Sequence, residues 1–109
     1  MRNINSLKNR EFKKVYDNGK SYVNKYLVMY VLKEENIGTK VGISVSKKVG
    51  NSVKRHRAVR LMREAYRQLE SQFSIGYDLL FIARNTITET KCADVKKSIE
   101  AAAKRAGIM

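Results

Sequence analysis

Hydrophobic and polar positions recur with periods that change along the chain, and each change marks an element. Over Asn9–Asn18, Phe12, Val15 and Tyr16 share one helical face; Asn9 stands at a cap position and Gly19 at a stop. Tyr22–Leu32 alternates as a strand, Tyr26, Val28, Tyr30 and Leu32 against Leu27, Met29 and Val31. Both sides are apolar, so either both are covered or one holds a ligand. A further short strand fits near Ser21, and Glu34–Gly38 reads as a turn. Val41–Ser46 has period two: Val41, Ile43 and Val45 face a core, while Gly42, Ser44 and Ser46 leave a bare face that something large can approach.

Ser52–Gln72 predicts a long helix. At about 100° per residue, Ala58, Leu61, Met62, Ala65 and Leu69 form one apolar stripe. His56, Arg60, Arg63 and Arg67 fall opposite, within an arc of about 60°. Lys54, Arg55 and Arg57 flank that arc, and Tyr66 packs beside the stripe. Tyr77–Ala83 reads as a buried strand. Thr90–Ala106 reads as a helix with Val95, Ile99, Ala102 and Ala106 inward. The order helix, strands, helix, strand, helix predicts an α+β two-layer sandwich.

Charge changes this picture most. The 109 residues hold 23 Lys and Arg against 10 Asp and Glu, a net +13. Residues 40–67 carry nine basic side chains and one acid, Glu64, so +8 of the +13 falls there. A solvated helix face mixes both signs; this one does not, and a polyanion is the expected partner. The length fits one domain, residues 1–109. One cysteine, Cys92, and one histidine, His56, leave no disulfide framework, no multi-cysteine zinc site and no catalytic set that the remaining acids could complete. No apolar run nears the roughly 20 residues that span a bilayer. The polar segment Met1–Arg10 lacks a signal-peptide core. A small, soluble, cytoplasmic domain with no membrane role is expected.

Two candidate surfaces follow. The arginine comb matches phosphate oxygens bidentately along a backbone. Lys47 and Lys48, followed by Gly50 and Asn51, lie between the bare strand and the comb helix, where a phosphate can be cradled. His56 inside this stripe suits hydrogen bonding or phosphate contact better than general-base work. Phe12 and Tyr16, spaced i and i+4, with Tyr26, Val28 and Tyr30, would line a groove for single-stranded nucleic acid by stacking and charge, or serve simply as core.

The run Val41-Gly-Ile-Ser-Val-Ser-Lys-Lys-Val-Gly-Asn-Ser-Val-Lys-Arg-His-Arg-Ala-Val-Arg-Leu-Met-Arg-Glu-Ala-Tyr-Arg67 resembles the signature of the bacterial ribonuclease P protein subunit. Leu7–Phe12 with Gly19-Lys-Ser21, Leu27-Val-Met-Tyr30 and Phe81-Ile-Ala-Arg84 resemble its other blocks, so the likeness spans nearly the whole chain. The resemblance implies a protein that assists a catalytic RNA, in a 1:1 complex with no further protein partner. That complex removes the 5′ leader of precursor tRNA, with the active site and its Mg2+ on the RNA. It implies RNA contacts at Lys54, Arg55, Arg57, Arg60, Arg63 and Arg67, to which Lys48 and His56 are added here. It implies a leader cleft formed by Phe12, Tyr16, Val28, Tyr30, Ser44, Ser46, Lys47 and Arg84. It also implies a left-handed strand–helix–strand crossover, where the general rule predicts a right-handed one.

Three positions depart from the family's pattern. Arg55-His56-Arg57 replaces arginine–asparagine–arginine, and histidine keeps a donor and an acceptor with a different reach. Val59 stands where lysine is common, which removes a phosphate contact. Asn85 follows Arg84 where proline is frequent and alters only the loop. A structural RNA binder of ribosomal type shares the composition but needs no leader cleft. A helix-turn-helix regulator would need a short helix and tight turn before Ser52, which the sequence lacks.

Overall fold

The computed structural model describes residues 9–33, 40–74 and 76–109. The elements are α1 (Asn9–Asn18), β1 (Lys20–Val23), β2 (Leu27–Lys33), β3 (Lys40–Ser44), α2 (Ser52–Leu69), β4 (Tyr77–Ala83) and α3 (Cys92–Ala106). Short 3-10 turns occupy Lys47–Val49, Glu70–Gln72 and Asn85–Glu89. The predicted turn at Glu34–Gly38, Leu7 of the first family block and the capping side chain of Asn9 lie outside what is described.

The four strands form one mixed sheet in the order β1-β2-β4-β3. β2 pairs antiparallel with both β1 and β4, and β3 pairs parallel with β4. The single strand predicted over Tyr22–Leu32 is instead a hairpin. Asn24 N–H donates to Leu27 O at 2.9 Å and turns the chain, so Lys20 pairs with Val31 and Val23 with Val28. Alternation alone does not register the turn, because residues on both sides of it keep period two.

Leu27, Met29, Leu79, Phe81 and Ala83 point to one face and join the main core with Ala58, Met62, Ala65 and Leu69 of α2 and Val95, Ile99 and Ala102 of α3. Strand alternation puts Val28, Tyr30, Leu80, Ile82, Gly42 and Ser44 on the other face. There α1 covers part of the sheet, and Val15 and Leu80 are fully buried. Gly19 permits the close approach of α1: a Cβ there would lie 2.5 Å from Val15 O and 3.1 Å from Val31 O of β2.

The same register fixes the hand of the crossover. Arg84 N–H donates to Tyr26 O, so Ile82 and Leu80, in phase with Arg84, turn their main-chain polar groups toward β2 while their side chains face α1. For L-residues this places β2 to the right of an upward β4 seen from the α1 side, with β3 to its left and α2 behind. The β3–α2–β4 connection is therefore left-handed, against the usual preference and as the family resemblance implied.

Candidate nucleic-acid interface

Buried Val49 anchors the turn that carries exposed Lys47 and Lys48. Gly50 follows at φ 149°, where a Cβ would stand 2.7 Å from Lys54 Cδ. Asn51 caps α2, its Oδ1 accepting from Lys54 N–H at 3.0 Å. Of the predicted stripe, Ala58, Met62, Ala65 and Leu69 are buried, while Leu61 is half-buried at its edge. Tyr66 is buried as well, against Phe73 at 5.2 Å and Phe81 at 5.7 Å between ring centroids. Burial, with a smaller contribution from the Glu70 carboxylate, pushes its phenol up to about 12.

The comb faces solvent. His56, Arg60 and Arg63 are positioned along the outward side of α2; Arg60 and Arg63 are exposed, as is Lys54, while Arg67 is half-buried and its Nη2 lies 3.5 Å from Glu64 Oε2. A shallow groove of about 410 Å3 runs between this side of α2 and Cys92 of α3, walled by Arg57, Arg60, Arg63 and Arg67 with Glu64 as its acid. Two flanking arginines are engaged within the protein. Arg57 donates from Nη1 to Thr88 O at 2.9 Å and from Nη2 to Thr90 O at 2.7 Å, tying α2 to the segment before α3. Arg55 reaches Ser52 Oγ with its Nη2 at 3.5 Å, and its buried Nε has no hydrogen-bond partner. Of the predicted set, Lys48, Lys54, His56, Arg60 and Arg63 are the most open to a ligand.

The second surface lies on the sheet face turned away from α2. Tyr16, 51% exposed, stands with its ring centroid 5.2 Å from that of Tyr30. Burial first, then the neighbouring Tyr16, raises the Tyr30 phenol above its usual value. Half-buried Phe12 lies one helical turn before Tyr16. Below them the row Val23, Val28, Ile82, Ser44 crosses all four strands and forms an open floor. Ser46 is exposed just beyond β3, next to Lys47. Exposed Arg84 follows Ile82 on the same face at the end of the floor. At the opposite end, Lys40 forms an ion pair with Glu11 of α1.

The structure therefore brings Phe12, Tyr16, Val28, Tyr30, Ser44 and Arg84 to one side of the sheet, while Ser46 and Lys47 follow just beyond the end of β3. Sequence reading missed Ile82 and Val23. Ile82 sits in a run, Tyr77–Ala83, that is apolar at nearly every position, so its face shows only once strand register is known. Tyr26, read as part of the aromatic face, instead packs against the main core from the hairpin turn, with Lys25 Nζ 5.5 Å from its ring centroid.

A sequence model described as Ribonuclease P matches residues 1–107. The ribonuclease P protein component of Clostridioides difficile is 47% identical over 102 residues, covering 93% of this chain and 90% of the relative. That of Lachnoclostridium phytofermentans is 59% identical over 80 residues, covering 72% and 69%. Among solved structures, the Staphylococcus aureus RNase P protein superposes with a TM-score of 0.84 at 30% identity over 98% of both chains. The Thermotoga maritima RNase P protein superposes with a TM-score of 0.82 at 26% identity, over 92% of this chain and 96% of that one. With the sequence match running almost end to end and the same α+β fold, this chain belongs to the bacterial ribonuclease P protein family.

Proposed function

We propose that this protein binds the catalytic RNA of ribonuclease P through the outward side of α2 while its sheet holds the single-stranded 5′ leader of precursor tRNA, so that the leader is removed at the mature 5′ end. The observation that carries this reading is the separation of two surfaces of different chemistry. The comb is cationic and suits a phosphate backbone. The cleft is aromatic and apolar on its floor, with Lys47 and Arg84 at its margins, and suits unpaired bases. They lie on opposite sides of the sheet, so two RNA strands can be held at once.

The RNA carries the active site. Among the described residues no three His, Cys, Asp or Glu side chains come together. On this reading the Mg2+ is held by the RNA, and none of the protein's steps runs through that ion. The protein's contribution is to position the leader and to neutralise phosphate repulsion, one protein per catalytic RNA, in the cytoplasm. No described helix is long and apolar enough to cross a membrane.

The test is holoenzyme affinity for precursor tRNA with a leader of several nucleotides and for the same RNA without it. Tyr16→Ala should weaken the first by about 5- to 150-fold, the range expected for one stacked base, and leave the second nearly unchanged. Equal weakening of both, or weakening of catalytic-RNA binding alone, would favour a structural RNA binder of ribosomal type.

A further inference from the structure

The turn between β1 and β2 is held in an uncommon way. Four consecutive carbonyls, Val23 to Tyr26, each accept a hydrogen bond from elsewhere in the chain. Arg105 Nη1 donates to Val23 O at 3.2 Å, Arg84 Nη1 to Asn24 O at 2.7 Å, Thr86 Oγ1 to Lys25 O, and Arg84 N–H to Tyr26 O at 2.9 Å. The Asn24 side chain adds a fifth tie, Nδ2 donating to Ser98 O of α3 at 2.8 Å. The turn is thereby clamped between α3 and the segment that follows β4.

One of these ties goes beyond what folding needs. The main chain of Arg84 already closes the ladder to Tyr26, yet its guanidinium also reaches the turn and binds Asn24 O while the residue stays exposed. A guanidinium has five N–H donors, and this contact uses one. An exposed arginine normally samples many rotamers and loses that freedom when it grips a phosphate. Here the loss is taken on folding, at the end of the cleft floor.

We propose that Asn24 is a positioning residue for the leader: its bond to Ser98 O fixes the Asn24 carbonyl, which holds the Arg84 guanidinium oriented toward a phosphate of the single-stranded 5′ leader. This rests on the leader-cleft reading above. Asn24 itself touches no RNA. Lysine at position 84 could not serve equally, since one ammonium lacks the rigid fork that engages a carbonyl and a phosphate together.

The experiment measures holoenzyme affinity for leader-bearing and leaderless RNA, taking the ratio as leader discrimination, for Tyr16→Ala, Arg84→Ala, Asn24→Ala and the Asn24→Ala/Arg84→Ala double variant. Arg84→Ala should lower discrimination by about tenfold, as expected for one charged interaction, and lower the salt slope of leader binding by about 0.7. Asn24→Ala should lower discrimination by about three- to fivefold, and the double variant should match Arg84→Ala alone. A purely structural Asn24 would lower the melting temperature, weaken both RNAs alike and add to Arg84→Ala; that result overturns the proposal. If Tyr16→Ala and Arg84→Ala lose discrimination but Asn24→Ala does not, the positioning role falls and the cleft stands. If Tyr16→Ala also keeps discrimination, the cleft reading falls and the positioning role with it.

Discussion

Phe81 and Ile82 are adjacent in β4 and both apolar, yet Phe81 is fully buried and Ile82 is only half-buried. The difference belongs to the two faces of the sheet. Phe81 points at α2 and α3, whose long apolar stripes bury the centre of that side. Ile82 points to the side that, among the described residues, is roofed by α1, ten residues long, which seals Leu80 and leaves the next row half-buried. An apolar strand face therefore does not by itself mean core. What decides is whether enough helix exists to cover it, and the uncovered remainder is the surface proposed above to stack unpaired bases.

The two faces should differ most in stability. Phe81→Ala should cost about 3–5 kcal/mol in urea unfolding. Ile82→Ala should cost about 1–2 kcal/mol, because less area leaves water there. Ile82→Ala should also weaken leader-bearing RNA selectively. Equal costs would mean that α1 seals its side as tightly as the two long helices seal theirs.

The buried phenol distinguishes the faces through pH. Tyr66 stays protonated in the fold up to about 12, against about 10 unfolded. Its contribution is complete below pH 10 and is lost as pH rises toward 12, because the unfolded chain ionises first. The loss approaches about 2–3 kcal/mol. Alkaline unfolding of the wild type should be steeper than that of Tyr66→Phe, and Tyr30→Phe on the open face should flatten the profile less. Identical profiles for wild type and Tyr66→Phe would contradict a sealed face.

Gly19→Ala tests the roof itself. The added Cβ must displace the end of α1 from β2, with an expected cost of about 1–2 kcal/mol. Because Tyr16 rides on that helix, leader affinity should fall more than catalytic-RNA affinity.

The smallest stability effect belongs to the outer side of α2. Arg60→Ala with Arg63→Ala should change unfolding by less than about 0.5 kcal/mol. It should nevertheless lower the salt slope of catalytic-RNA binding by about 0.7–0.9 for each phosphate that is no longer neutralised. An unchanged slope with the fold intact would remove this side of the helix from the interface.

Much of this was readable in the chain. The bounds of α1 and β4 are those that periodicity predicts, and α2 differs only in ending at Leu69 before a 3-10 turn. The comb and the stripe of α2 needed nothing beyond angular spacing. The short strand expected near Ser21 is β1, but the turn that pairs it with β2 is not legible, because an apolar strand and its return share one period and Asn24 is a single weak turn signal. The engagement of Arg57 with Thr88 and Thr90 was also hidden, since partners more than thirty residues away leave no local mark.

By itself, then, the sequence determined the helices, the strands on either side of α2 and the concentration of positive charge on that helix. These depend on residue type and short-range spacing, which the chain carries before it folds. Only the tertiary structure decided which apolar face stays open, that Ile82 and Val23 belong to its floor, that the crossover is left-handed, and that Asn24 reaches Arg84. Each of these depends on strand register and on which helix covers which face, and those are settled by packing between segments far apart in the chain.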